Sequence, residues 1–290
     1  MIKINNKTIQ ISKFPNGEAL IDTDILNEYV GSRERIRVDF KWINDEDILH
    51  LHFVLQHLRQ IPTCPIDLYI QYMPYSRMDR SQGGNCFTLY YLSDIINGFL
   101  LLNDKVYIVE PHSETTLNLI ENSSRINVIT PLMLHVLMKH PEIDVICYPD
   151  KGAKLRFQDD SVRLPVVFCN KVRDFATGEI KGLELDGNTD VKDKNILILD
   201  DLCSKGGTFY HTANKLKEHG AKDVYLAVCH MEKSVEDGYL LELYDRPSVI
   251  KHIYCMDTML NERQVQDFQG YKNMTVYNIE KFLNESEVKQ

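Results

Sequence analysis

The sequence of 290 residues lacks the features that mark several special classes of protein. No apolar run approaches the ~20 residues that a membrane helix needs, and residues 98–102, the most apolar stretch, run directly into polar residues. Its seven cysteines form no CxxC pair, which argues against a zinc cluster. The N-terminus does not resemble a signal peptide, so we expect reduced thiols, a cytoplasmic location and no membrane partner. A net charge of −9 argues against a nucleic-acid partner.

What the chain does contain is a repeated pattern of strand, loop and helix, in an ordinary globular composition with 43% hydrophobic residues. Strands are predicted at 66–73, 106–109, 145–148, 166–169, 195–199 and 224–229, and helices at 43–60, 87–102, 208–220 and from 278 to about 284. This alternation predicts an α/β fold with two tandem domains and mainly parallel sheets. Pro131 and Pro141 indicate a boundary, so we expect domains at 1–137 and 138–290, with the last helix packing on the first domain.

The strongest chemical signal follows the strand 195–199. Asp200 and Asp201 are adjacent acids where sugar hydroxyls can be held, and small residues and a hydroxyl then open a helix. Glycines there let backbone N–H groups approach an anion, and the helix dipole adds to the attraction. The alternative is an ordinary capped turn, which would leave paired acids without a partner. The candidate phosphate-binding residues are Ser204, Lys205, Gly206, Gly207 and Thr208.

This motif resembles the ribose-phosphate loop of type I phosphoribosyltransferases and of ribose-phosphate pyrophosphokinases (PRPP synthetases). Further segments resemble synthetase motifs, in the family's order: KFPNGE at 13–18, PYSRMDR at 74–80, EPHS at 110–113, YPDKG at 148–152 and KVR at 171–173. A simple phosphoribosyltransferase would have one such domain and no ATP loop. The likeness to PRPP synthetases spans nearly the whole chain and implies two phosphoribosyltransferase-like domains.

The resemblance also implies roles for individual residues. Those matching the ATP site are Phe14, Asn16, Glu18, Arg77, Asp79, Arg80 and His112. His112 and Asp150 would contact the metal, and Lys171, Arg173, Asp200 and Asp201 would be catalytic. The segment 174–190 would form a flexible lid. In the family the residue matching Phe14 stacks on adenine from a neighbouring subunit, which implies a homo-oligomer, a dimer or a hexamer.

Each of these assignments has a plainer alternative on the residues alone. The charges at 77–80 can be a solvated cluster, Phe14 and His112 can be core residues, and 174–190 can be a surface loop. Taken together, the resemblance implies Mg²⁺-dependent transfer of the β,γ-diphosphate of ATP to the C1 hydroxyl of a ribose phosphate, with release of AMP.

The loop departs from the family pattern at two positions. Ser204 stands where the family has Asp, and Lys205 where it has Thr, so a carboxylate is lost and a cation gained. A cation suits a more negative acceptor, which favours ADP-ribose, the acceptor of a family branch associated with NAD⁺ restoration in bacteriophages, over ribose 5-phosphate. The location would then be the host cytoplasm. Neutral drift, an inactive regulatory subunit and a PRPP-consuming phosphoribosyltransferase remain as alternatives.

Overall fold

A computed structural model describes residues 1–31, 34–60, 64–81, 83–159, 161–173, 180–186, 189–243 and 247–287. The chain divides into two compact units, Met1–Ile126 and Asn127–Gln290. The sequence predicted a boundary after residue 137, near Pro131 and Pro141, but Pro131 lies in the first turn of a helix, Ile129–Lys139. Leu132 and Val136 of that helix are fully buried, so the helix belongs to the core of the second unit.

The first unit is a sheet covered by helices. Its strands are β1 (Ile2–Ile4), β2 (Lys7–Thr8), β3 (Ser12–Lys13), β4 (Ala19–Leu20), β5 (Ile36–Phe40), β6 (Ile66–Ile70), β7 (Lys105–Val109) and β8 (Ser123–Ile126), and its helices are α1 (Thr23–Val30), α2 (Glu46–Leu58), α3 (Thr88–Asn97) and α4 (Glu114–Leu119). The sheet order is β2-β1-β5-β6-β7-β8, parallel from β5 to β8 and antiparallel at β1, while β3 and β4 form a separate hairpin.

Alternating apolar residues build the core of this sheet. Val38 pairs with Leu68 in register, and Val106 lies opposite Leu68 on the next strand. All three side chains are fully buried, as expected for strands covered on both faces. The predicted helix 87–102 ends earlier, at Asn97, where the Gly98 N–H bonds back to the carbonyl of Asp94.

The second unit repeats this architecture. Its strands are β9 (Val145–Tyr148), β10 (Val166–Arg173), β11 (Ile180–Asp186), β12 (Asn195–Cys203), β13 (Asp223–Met231), β14 (His252–Met256) and β15 (Met274–Tyr277); its helices are α5 (Ile129–Lys139), α6 (Lys151–Phe157), α7 (Gly207–Glu218), α8 (Glu262–Gln269) and α9 (Ile279–Glu287), with a 3₁₀ helix at Lys233–Asp237. The sheet order is β11-β10-β9-β12-β13-β14-β15, and only the β10–β11 pair of these strands is antiparallel.

Both sheets are therefore mainly parallel, which confirms the predicted fold class. Strand β12 is longer than predicted, and continues through Asp200 and Asp201 to Cys203 because it pairs with β13 as far as Met231. In α9, Phe282 lies beside the rings of His135 and Tyr277 of the same unit, and the expected packing of this helix on the first domain stays a prediction. None of the helices in the described ranges is long and apolar enough to cross a membrane.

Candidate functional site

Two carboxylates and a guanidinium meet near the carboxyl end of β12 in the second unit. Nη2 of Arg156, on α6, lies 2.9 Å from Oδ1 of Asp201 and 3.6 Å from Oδ1 of Asp200. The backbone N–H of Asp201 also donates to Oδ1 of Asp200, at 2.9 Å. Strand β12 lies beside β9, whose carboxyl end leads into α6, and this adjacency brings the arginine to the acids.

The acid pair has an unusual electrostatic environment. Asp201 is only 2% exposed, and Asp200 is half-buried. Burial, followed by the adjacent negative charge of Asp201, raises the pKa of Asp200 well above its ordinary value. The guanidinium of Arg156 contacts both acids, and a ligand that brings a cation or hydroxyl donors to this point lowers the cost of keeping both carboxylates in place.

The predicted phosphate loop follows directly on β12. Gly206 adopts a left-handed conformation, with φ of 78°, at the N-cap of α7. A side chain there would be strained, and its Cβ would lie 2.2 Å from Cδ1 of Leu240. Lys205, Gly207 and Thr208 are exposed, so the loop presents a cation, a hydroxyl and the first N–H groups of a helix to solvent. Helix N-termini of this kind bind anions.

A second segment supports this loop from behind. The N–H of Glu232 donates to the carbonyl of Cys203 at 2.8 Å, and the hydroxyls of Ser204 and Ser234 are 3.1 Å apart. A Cβ on Gly238 would lie 2.0 Å from the carbonyl oxygen of Lys205, so only glycine fits at this close approach of two backbones. The loop backbone is thus held on its inner side by residues 232–240.

In the first unit, part of the predicted ATP site comes together at the carboxyl ends of two adjacent strands. Asp79 follows β6, and His112 follows β7. Nε of the exposed Arg80 donates to Oδ1 of Asp79 at 2.8 Å. This hydrogen bond holds the pKa of Asp79 below its ordinary value, and Ser113 and His112 add to the effect, against burial. The other predicted residue of this loop, Arg77, is exposed.

The predicted residues Phe14, Asn16 and Glu18 occupy the turn of the β3–β4 hairpin. Nδ2 of Asn16 donates to Glu18 Oε2 at 2.9 Å, and the Glu18 carbonyl accepts from the N–H of Phe14. The Phe14 ring is 48% exposed, which excludes the alternative of a core residue within this chain. A Lys13–Glu46 ion pair of 2.6 Å connects the hairpin to α2.

The surroundings of the two predicted metal contacts, Asp150 and His112, differ from those of a preformed metal cluster. Asp150 is the N-cap of α6, where its Oδ1 accepts from the N–H of Ala153 at 2.9 Å. His112 follows a buried acid, Glu110, whose φ is positive at 39°. Within the described part of the chain, no group of three or more His, Cys, Asp or Glu side chains is placed to hold a metal ion by itself.

The predicted lid, residues 174–190, lies only partly within the described residues. The backbone of Lys171 and Arg173 belongs to β10, but the positions of their side chains, like residues 174–179 and 187–188, are outside the description. Residues 180–186 form β11, antiparallel to β10, so this part of the predicted loop is a strand.

Sequence reasoning missed Arg156, Glu232 and Ser234. Two adjacent acids on a buried strand do indicate that a cation is nearby, but the chain has 33 lysines and arginines and the spacing does not identify one of them. Arg156 is recognisable only when α6 is placed over β12. Ser234 gives no signal in the sequence, because its contact with Ser204 joins residues 30 positions apart.

Comparison with known proteins shows what the chain is similar to. Residues 129–270 match the family model of the phosphoribosyl transferase domain. Ribose-phosphate pyrophosphokinase from Saccharolobus solfataricus is 25% identical over 235 residues, which cover 80% of this chain and 77% of that protein. The enzyme of the same name from Thermococcus kodakarensis is 26% identical over 227 residues, covering 77% of each.

A solved structure agrees with this. The crystal structure of phosphoribosylpyrophosphate synthetase from Mycobacterium smegmatis superposes with a TM-score of 0.72 at 18% identity, covering 96% of this chain and 88% of that one. This chain therefore has the same fold as that synthetase, including both sheet-containing units. The ordered motifs, the phosphoribosyl transferase domain match and the sequence relatives support a divergent relative of the ribose-phosphate pyrophosphokinases, and the solved structure shows the shared fold.

Proposed function

We propose that this protein transfers the β,γ-diphosphate of ATP to the C1 hydroxyl of a ribose phosphate and releases AMP. The observation that carries the proposal is the arrangement in the second unit, where the acids Asp200 and Asp201 directly precede a glycine-containing loop at the N-terminus of α7. The acids suit the hydroxyls of a sugar, and the loop suits its phosphate. The names of the relatives, ribose-phosphate pyrophosphokinases, support this combination.

In the first unit, the residues around Asp79 are proposed to hold ATP. Arg77 and Arg80 are exposed cations able to contact phosphate oxygens, and His112 lies close enough to affect the charge of Asp79. Phe14 and its hairpin partners Asn16 and Glu18 are proposed to receive the adenine of a neighbouring subunit. The exposed ring of Phe14 supports this role.

The carboxylates of the second unit fit a Mg²⁺ ion. Asp200 and Asp201 offer oxygen ligands, and Mg²⁺ is typically bound through one or two carboxylates together with substrate phosphates. Asp150 is a further oxygen donor, whereas the imidazole of His112 suits Mg²⁺ less well. When bound, Mg²⁺ supplies charge neutralisation on the transferring diphosphate.

Side chains of the protein would make the remaining contacts to the substrates. Asp200 and Asp201 orient the sugar hydroxyls, and Thr208, Lys205 and the N–H groups at the start of α7 hold its phosphate. Lys171 and Arg173 are proposed to stabilise the charge that develops on the reacting phosphate, which is the usual role of cations in phosphoryl transfer.

Two acceptors remain candidates. The relatives' names indicate a ribose phosphate and give no support for ADP-ribose. The observation in favour of ADP-ribose is Lys205, which is exposed in the loop and can face a diphosphate. Ribose 5-phosphate is therefore the first candidate and ADP-ribose the second.

We also propose that the protein is a homo-oligomer. Apolar side chains of α2 and α3 remain open to solvent: Leu49 is 51% exposed, Tyr91 56% and Ile95 47%. They line a groove of about 570 Å³, and a neighbouring subunit would cover such a surface. Sedimentation velocity over a range of protein concentrations tests this, and a monomer at all of them would contradict it.

The function is tested by measuring AMP release from Mg-ATP with ribose 5-phosphate and ADP-ribose in separate reactions, with product masses read in the same run. AMP with either acceptor supports the proposal and identifies the acceptor. AMP release should fall by at least about a hundredfold in Asp200→Asn and stay unchanged in the control Lys222→Ala, an exposed lysine far from the loop in sequence. No AMP with either acceptor would favour an inactive subunit or a PRPP-consuming transferase.

A further inference from the structure

The side chains of Glu232, Ser234 and Ser204, the first residue of the phosphate loop, are connected by a chain of hydrogen bonds. The hydroxyl of Ser234 donates to Oε2 of Glu232 at 2.8 Å, and its oxygen lies 3.1 Å from the hydroxyl oxygen of Ser204. The chain thus runs from a carboxylate on the supporting segment to the first residue of the loop. It uses Glu232 and Ser234, neither of which belongs to a motif recognised in the sequence.

The direction of this chain follows from counting protons. A serine hydroxyl has one proton to donate, and an ionised carboxylate only accepts. Ser234 gives its proton to Glu232, so it can only accept in its contact with Ser204. The proton of Ser204 must therefore point toward Ser234. On this basis we propose that Glu232 and Ser234 make Ser204 an acceptor-only residue, which presents lone pairs and no proton to the substrate.

The surrounding backbone keeps this orientation in place. On one side of Ser204, the carbonyl of Cys203 accepts from the Glu232 N–H at 2.8 Å. On the other side, Gly238 packs against the carbonyl of Lys205, where even a Cβ has no room. Because both neighbours of Ser204 are fixed to the same segment that carries Ser234, the backbones that carry the two hydroxyls are held close together.

The orientation of Ser204 has a consequence for the recognition of a sugar phosphate, and this consequence rests on the proposed function. A phosphate oxygen needs a donor, and Ser204 has none to offer. The phosphate is then held by Thr208, by Lys205 and by the N–H groups at the start of α7, while Ser204 faces a bound water and not a phosphate oxygen. Glu232 and Ser234 are positioning residues that select between these partners without touching the substrate.

A double-mutant cycle tests this assignment. Binding of ribose 5-phosphate, with Mg²⁺ and without ATP, is measured by calorimetry for the unmodified protein, Ser204→Ala, Ser234→Ala and the double variant. In the unmodified protein, Ser204→Ala should change Kd by less than about twofold. In the Ser234→Ala background the freed hydroxyl can donate to phosphate, so removing it should weaken binding about three- to tenfold, the range for one hydrogen bond.

The cycle cancels any effect that Ser234→Ala has through Glu232, because both proteins compared share it. Ser161→Ala, at an exposed serine of the same unit, is the control and should leave Kd unchanged. An equal or larger effect of Ser204→Ala in the unmodified protein would show that Ser204 already donates to phosphate and would overturn the proposal. So would the absence of binding in all four proteins. The binding measurement needs no turnover, so its result does not depend on whether the protein releases AMP from ATP.

Discussion

Arg156 donates a hydrogen bond to Asp201 across 2.9 Å and thereby joins helix α6 to strand β12. The Asp201 side chain is 3% exposed, and that of Arg156 is 23% exposed, so the pair is largely removed from water. A buried pair of this kind adds little net stability, but removing one partner leaves the other charge without compensation.

Arg156→Met is therefore expected to lower the free energy of unfolding by about 3 kcal/mol, because Asp201 stays buried after this ion pair is lost. Urea denaturation followed by circular dichroism measures the change. Arg163→Met removes an exposed arginine of the same unit and should shift the midpoint little. Equal effects of the two substitutions would mean that the ion pair has no special role.

Gly206→Ala is expected to destabilise the second unit by about 3 kcal/mol, combining a left-handed φ with a Cβ placed against Leu240. Gly207→Ala, one residue later, has a clear space for its Cβ and should be nearly neutral. Thermal unfolding of both variants makes the comparison. Adding Leu240→Ala to Gly206→Ala should relieve the clash but leave the strain in φ. The double variant should therefore lose less stability than the two single variants lose together. A loss of stability equal to that sum would contradict this explanation.

Lys171→Ala is expected to reduce kcat by about a hundredfold or more while leaving the melting temperature nearly unchanged, because its proposed contact exists only with the reacting phosphate. AMP release and thermal unfolding measured on the same preparation separate these effects. Lys192→Ala, an exposed lysine of the same unit, serves as the control. A Lys171 variant with unchanged turnover would remove this residue from the proposed mechanism.

His252 should make stability depend on pH. Its burial lowers its pKa to about 4, with further contributions from Lys139 and His140, and its Nε2 lies 2.8 Å from the hydroxyl of Thr275. Since the unfolded chain has the ordinary value near 6.5, the unfolded state binds the proton first as the pH falls. The stability linked to neutral His252 is thus complete above pH 6.5 and is lost as the pH falls toward 4.

The melting temperature should therefore fall less between pH 6.5 and 4 in His252→Gln than in the unmodified protein. His219→Gln, which removes an exposed histidine, is the control. Parallel curves for the unmodified protein and His252→Gln would show that protonation of this residue is not linked to unfolding.

Much of the fold was predictable from hydrophobic pattern. The strand Val145–Tyr148 has exactly its predicted bounds, since its four apolar residues are bounded by polar residues and Pro149. The end of β12 was not predictable in the same way. Its sequence becomes polar at Asp200, but pairing with β13 extends the strand to Cys203, and that pairing depends on residues about 30 positions away.

The candidate site shows the same difference between local sequence patterns and contacts between distant residues. Residues consecutive in the chain, such as those of the loop from Ser204 to Thr208, were recognised because the motif is local. Their partners were not, because Arg156 and Ser234 reach the loop and the acids through the packing of separate elements. A sequence pattern identifies the groups that meet a ligand more readily than the groups that hold them in position.

The backbone contacts that fix the loop onto residues 232–240 also determine the thermodynamics of ligand capture. The hydrogen bond from Glu232 to Cys203 and the close contacts of Gly206 and Gly238 are made between residues of the protein itself. The conformational entropy of ordering the loop is thus lost when the protein folds and not when a sugar phosphate arrives. Anion capture at the start of α7 is consequently expected to proceed with little chain ordering and at a rate set by diffusion and charge.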